Sequence, residues 1–204
     1  MRCGRGFLAL ALLAVMGGCI ESLHPFYTEK DLVFEPALVG TWGEPGSNSK
    51  ESWAFTPSGE KAYRLVVTDS DGRSGAFEAH LASLNGSLIL DLYPEDPKLA
   101  ASTFYKHHLQ KVHSFVRIVK VGPVLTMSVL DVTWLDQFLR KNPKALKHER
   151  TEDGILLTAS TEELQAFILK HLHTQGAFQD PIDFSRIGDT PQEAGAAPSE
   201  PAGS

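Results

Sequence analysis

The side chains able to do chemistry here are mostly histidines, and they are scattered. Eight occur in 204 residues. His107, His108 and His113 form the densest group. Adjacent loop histidines can bind zinc, but a site needs three or four converging ligands. Without an ordered third and fourth ligand they read as exposed loop histidines. His171 and His173 stand two apart on a predicted helix and so face different ways. His148-Glu149 lacks the second histidine of a zincin helix, because residue 152 is Glu. Asp69-x-Asp71-Gly72 shares part of a calcium-loop pattern, but Val67 stands where the first ligand belongs, so it reads as a hairpin turn. No metal site and no cofactor are expected. A Gly-x-Ser-x-Gly elbow and a phosphate-binding glycine loop are both absent. His80 and Asp91 fall on adjacent predicted strands, each on the less apolar face, and are expected to meet as a surface ion pair. Trp42, Trp53 and Trp134 sit at core positions and are read as packing. The chain is therefore not expected to be an enzyme.

The remaining reactive type is cysteine, at Cys3 and Cys19 only. Arg2 and Arg5 precede an unbroken apolar run over residues 7–16. That run is too short to cross a bilayer, which takes about 20 apolar residues as a helix. A charged start, a short apolar middle and the small pair Gly17-Gly18 mark residues 1–18 as a secretory leader. Ala14-Val15-Met16-Gly17-Gly18-Cys19 resembles the lipobox of bacterial lipoproteins, with Met16 where Leu is usual. The resemblance implies cleavage after Gly18, a diacylglyceryl group on the Cys19 thiol, and a fatty acid such as palmitate on the new amine. Each buried methylene then contributes roughly 0.8 kcal/mol, and more than one chain gives stable attachment. The expected location is the cell envelope, lipid-anchored. Ile20 in place of Asp favours the outer membrane, facing the periplasm. With Cys3 gone and Cys19 acylated, no disulfide remains. Lys and Arg number 19 against 25 Asp and Glu, and loss of Arg2 and Arg5 makes the balance more acidic still. This argues against a nucleic-acid partner. It also assigns membrane attachment to acyl chains rather than to basic side chains.

Beyond Cys19, the pattern predicts a lipidated tether and lead-in over 19–36, one β-rich domain over 37–187, and a disordered Pro-, Ala- and Glu-rich tail over 188–204. The lead-in is too apolar for a free linker; Phe26, Tyr27, Leu32, Val33 and Phe34 are expected to lie against the domain. Strands are predicted over 37–42, 50–56, 61–69, 75–84, 87–93, 112–121, 124–131 and 155–159. Asp71-Gly72 and Asn85-Gly86 between alternating runs are hairpin signals. Period-two alternation with one apolar face means a sheet covering a core. Residues 94–111 break the rhythm, as a long functional loop or a short helix. One helix is predicted from a Thr133 cap with Asp136 three residues on, burying Trp134, Leu135, Phe138 and Leu139 and stopping at Asn142-Pro143. Residues 144–149 read as one further helical turn. A second helix starts at Ser160 with Glu163 in the capping-box position, buries Leu164, Phe167, Ile168 and Leu172, and ends at Gly176. The fold class expected is mainly β (α+β): an antiparallel meander of about seven to eight strands forming a barrel or half-barrel, with two helices near the C-terminus.

Two further resemblances bear on function. Residues 23–34 leading into Gly40-Thr41-Trp42, together with 77–81 and 163–167, resemble a group of uncharacterised bacterial lipoproteins, which brings no activity with it. Gly40-x-Trp42 in a first strand, the meander and a late helix are similar to lipocalins. That resemblance implies that Gly40 and Trp42 close a barrel floor and that an open mouth binds small apolar ligands. The Thr-Asp-Tyr element of that family is absent, and Gly122-Pro123 stands in its place. The function expected is a non-enzymatic envelope lipoprotein, attached through Cys19, that binds a small apolar ligand or an envelope protein. The alternative is a structural or assembly lipoprotein whose contact surface is residues 23–34 and 94–111.

Overall fold

A computed structural model describes residues 20–44, 50–97, 99–152 and 154–188. The strands are β1 Ile20–Ser22, β2 Leu32–Val33, β3 Gly40–Gly43, β4 Ser52–Pro57, β5 Ala62–Thr68, β6 Ser74–Leu84, β7 Ser87–Pro94, β8 Ser114–Lys120, β9 Val124–Ser128, β10 His148–Arg150, β11 Ile155–Leu157 and β12 Ile182–Gly188. The helices are α1 Thr103–Lys106, α2 Val132–Lys141 and α3 Thr161–His171. Eight strands close on themselves in the order β3-β4-β5-β6-β7-β8-β9-β12, all antiparallel, with β12 bonded to both β9 and β3. The fold is thus mainly β, a closed eight-strand antiparallel barrel with three helices, consistent with a lipocalin-like architecture.

The local sequence explains the meander. At the β6–β7 turn, Asn85 has φ 50° and Gly86 φ 78°. Both central residues of the tightest hairpin turn need positive φ, which Asn and Gly tolerate. At the β5–β6 turn the Gly72 N–H donates to the Asp69 carbonyl, and the Asp69 carboxylate accepts from Arg73 N. The acidic pattern there is a turn, as its sequence reads.

Alternation then sends one face of each strand inward. Leu38, Trp42, Phe55, Tyr63, Leu65, Ala79, Leu81, Leu90 and Leu125 have no water-accessible surface. They belong to one core with Val116, Ile118, Met127 and Phe184, so side chains meet across the barrel and fill it. Truncating any one of its large rings to Ala would cost about 3–5 kcal/mol. One end is closed by a polar cap. The Arg186 guanidinium lies 4.5 Å from the Trp42 ring centroid and donates to the Val39 and Ala37 carbonyls at 2.6 and 2.8 Å. The Trp42 indole donates to the Leu38 carbonyl at 2.8 Å. Gly40 makes room for this arrangement: its φ is +132°, and a Cβ there would collide with the Arg186 guanidinium.

A second core lies outside the barrel wall. Ala82 and Ile89 of β6 and β7, facing outward, are covered by Phe26, by α2 and α3, and by a three-stranded sheet of β1, β11 and β10. The α3 stripe Leu164, Phe167, Ile168 and Leu172 is buried there, and Ser160 and Glu163 form the reciprocal capping box.

Three sequence expectations change. Residues 155–157 are not the last barrel strand: β11 pairs in parallel with β1 and antiparallel with β10, outside the barrel. The closing strand is β12, whose apolar residues are too few to reveal period two. Asp131, not Thr133, caps α2, its carboxylate accepting from Trp134 N at 2.7 Å. Asp136 instead bonds Arg140 and Arg150. Residues 148–150 form β10 rather than helix, because an edge position beside β11 offers a partner for their backbone. The lead-in packs against the domain as its apolar residues lead one to expect, and further carries β1 and β2: Phe26 is fully buried and Leu32 nearly so. Cys19 and the tail from residue 189 lie outside the described residues.

Replacing Gly40 by Ala should destabilise the protein by about 2–3 kcal/mol, since it strains a positive-φ backbone and displaces Arg186 from Trp42. Urea denaturation checks this. Arg186→Lys should retain part of the cap, and a loss equal to that of Arg186→Ala would show that the charge alone carries nothing and the planar guanidinium carries the whole.

Candidate functional site

Asp91 is the most deeply buried charged side chain of the barrel wall, 1% exposed. It points outward from β7 because it alternates with the inward Leu90 and Leu92. One carboxylate oxygen accepts from Phe26 N at 2.7 Å, and the other accepts from His113 Nδ1 at 2.7 Å. Tyr93 stacks on the His113 ring at 4.5 Å, and the Lys111 ammonium lies 5.5 Å from the Tyr93 centroid. On the neighbouring strand His80 sits directly opposite Asp91 in register. It nevertheless turns to Glu78 Oε1 at 3.5 Å and packs on Tyr27, with ring centroids 4.5 Å apart. The expected His80–Asp91 pair is thus replaced by His113–Asp91. A strand has two neighbours, and the histidine entering from β8 wins the carboxylate.

A histidine oriented by a carboxylate is the base half of a nucleophilic site. The Ser22 and Tyr27 hydroxyls do not supply the other half. Ser22 is bridged to His113 through the backbone, but its hydroxyl is fully buried and donates to the His24 carbonyl at 2.8 Å. Burial, reinforced by Asp91, Glu78 and Glu29, pushes the Tyr27 phenol up to about 12, so it keeps its proton at neutral pH. The geometry suits a pin: Asp91 fastens the lead-in at Phe26 and His113, the residue before β8, onto the barrel wall. Gln165 of α3 adds a second fastening, donating to the Phe26 carbonyl and to Asp31.

The histidine trio is not brought together. His108 Nδ1 donates to the Phe104 carbonyl at 2.8 Å, His107 lines the pocket described below, and His113 belongs to Asp91. Among the described residues no three of His, Cys, Asp and Glu gather to hold a metal ion. His171 lies on the inner face of α3, ringed by Trp134, Phe138 and Phe167 at 4.7–5.2 Å, with Nε2 buried and unpartnered. Burial, then the Lys170 charge, lowers its pKa.

The loop between β7 and β8 is the other candidate. Ser102 caps α1 by accepting from Tyr105 N. Among the described residues seven large apolar side chains are exposed, and Leu99, Phe104, Tyr105 and Leu109 are four of them. Phe104 is 78% and Tyr105 57% exposed. Beneath α1 a cleft of about 440 Å³ is lined by Pro94, Glu95, Asp96, Pro97, Thr103, Lys106, His107, Leu109, Gln110 and Lys111. Lys111 bonds Asp96 across it, and Glu95 is held by Arg64 at 2.7 Å. The broken rhythm of residues 94–111 signalled this loop; nothing in the sequence signalled the Arg186 cap or the His171 cage.

Comparison with protein-family models, with curated proteins and with solved structures finds no match.

Two consequences follow for the buried polar groups. Asp91→Ala should cost about 3–5 kcal/mol, because it leaves His113 and Phe26 N–H without their acceptor, and Asp91→Asn should cost less; chemical denaturation reads both. For His171 the folded-state pKa is depressed, so the unfolded chain binds the proton first. Stability should be full above the ordinary histidine value of about 6.5 and fall as pH drops through it. His171→Phe should flatten that part of the profile, and an unchanged slope would assign the loss to another group.

Proposed function

We propose that the protein is a cell-envelope lipoprotein, attached through Cys19, that holds a protein partner at the loop between β7 and β8 and uses its barrel as a rigid scaffold. The attachment rests on the lipobox pattern ending at Cys19. The observation that carries the partner reading is the loop itself: Leu99, Phe104, Tyr105 and Leu109 stand exposed on one segment. Aromatic side chains grouped on a surface are what protein interfaces are enriched in. A small apolar ligand inside the barrel is the weaker reading, because Trp42, Phe55, Tyr63, Leu65 and Leu90 occupy the interior with no accessible surface left. Of the two contact segments expected from sequence, the lead-in is spent on packing and the loop is left.

A photo-reactive residue at position 105, introduced into the full chain in cells, should form one discrete adduct in the membrane fraction, while the same residue at exposed Val119 should not. Phe104→Ser should lower the adduct about tenfold or more, the scale of losing an interface hot spot. Cys19→Ser should move the protein out of the membrane fraction. Equal labelling from positions 105 and 119 would defeat the partner reading.

A further inference from the structure

Charge is unevenly placed along this chain. All 25 Asp and Glu fall outside residues 97–130, a run that carries Lys98, Lys106, Lys111, Arg117 and Lys120. The loop between β7 and β8 opens that acid-free run. In a chain of net charge −6 the loop is a basic interruption. It is also the segment that leaves Phe104, Tyr105 and Leu109 exposed.

The two carboxylates at the cleft beneath α1 are already committed. Glu95 is held by Arg64 through both oxygens, at 2.7 and 3.2 Å, and Asp96 pairs with Lys111. Glu78, on the same wall, turns to His80. The donors on α1 are not committed. Thr103, Lys106 and His107 stand three and four apart and so share the face turned to the cleft. Among the described residues the Lys106 ammonium makes no ion pair and the His107 ring makes no hydrogen bond. Lys106 nevertheless lies close enough to Asp96 to add to the Lys111 hydrogen bond and charge in holding that carboxyl below its usual range. With Arg64 and Lys111 spent on the two acids, one cation is left over at the cleft. Pro94, Pro97 and Leu109 supply apolar wall beside it.

We propose that this cleft receives a carboxylate side chain of the protein partner, presented on an acidic segment flanked by apolar residues. The proposal rests on the partner reading of the β7–β8 loop. Lys106 pairs with the entering Asp or Glu, and the His107 ring and Thr103 hydroxyl offer further donors. Apolar neighbours of that acid pack on Leu109 and on Phe104, which stands on the adjoining face of α1. The cleft, about 440 Å³, has the size for such a group, since pockets for small groups run from roughly 300 to 1,000 Å³. Nucleic acid fits less well, because its repeated phosphates would meet the acids that crowd the rest of the chain. The charge selects an acidic partner over a basic one, while the aromatic contacts carry the affinity.

The test places a photo-reactive residue at position 110, on the cleft, in the full chain in cells, alongside the probe at 105 that tests the partner itself. Lys106 is exposed and bonds no acid among the described residues, so its variants leave the fold intact. Lys106→Arg should keep the adduct formed from position 110, and Lys106→Met should weaken it. Lys106→Glu should lower it about fivefold or more, the scale of losing an exposed ion pair and gaining a like-charge contact. Mass spectrometry of the adduct should place the label within a few residues of an Asp or Glu of a protein. Equal labelling from positions 105 and 119 overturns the partner reading and this proposal with it. A discrete adduct from 105, with the 110 adduct as strong in Lys106→Glu as in Lys106→Arg, overturns the proposal alone. So does a 110 probe that captures nothing, or one whose label lands on lipid or on a segment without acids.

Discussion

Closure of the sheet by β12 is the constraint on which the rest depends. Without that strand, β3 and β9 would each present a row of unpaired N–H and C=O groups, a liability for any sheet. β12 satisfies both edges at once, pairing Phe184 with Leu125 and Arg186 with Trp42. It also delivers Arg186 to the barrel end, where the guanidinium covers the Trp42 ring and takes up the carbonyls of Ala37 and Val39. Closing the barrel and capping it are one event, and Gly40 is the residue whose missing side chain permits it.

A closed barrel with a filled interior has to act through its exterior. Much of that exterior is already spent. The β6–β7 wall carries apolar Ala82 and Ile89 outward, and α2, α3 and the small sheet exist to cover it. Within that cover Asp91 is a buried charge, and a buried charge persists only when fully paired. Phe26 N–H and His113 supply the pairing, so the lead-in is welded to the wall rather than left as a spacer. What remains exposed is unevenly distributed: among the described residues four of the seven exposed large apolar side chains stand on the loop between β7 and β8.

Much of the architecture was legible from sequence. The hairpins at Asp71-Gly72 and Asn85-Gly86, the inward faces of β4 to β9, the capping box at Ser160 and the buried stripe of α3 all follow from local patterns. Local patterns failed where the partner is remote. β12 has Ile182 and Phe184 inward but Arg186 next, so its alternation breaks at the residue that matters most. β11 has a strand's composition, yet composition does not say which sheet it joins. The histidine beside Asp91 was misassigned for the same reason, since register along one hairpin names a neighbour on one side only.

Sequence by itself determined the alternation that makes a barrel and the turns that order it, and the expectation of a leader ending before Cys19 rests on it alone. Tertiary structure alone decided which strand closes the barrel, which histidine meets Asp91, and that the interior is full. It also decided how residues 20–34, expected to lie against the domain, are fastened to it: through Asp91, Gln165 and the strand pairs of β1 and β2. The physical reason is range: turns, caps and period-two faces are set by neighbours within a few residues. Closure, burial of a charge and the filling of a core depend on groups brought together from tens to more than a hundred residues away.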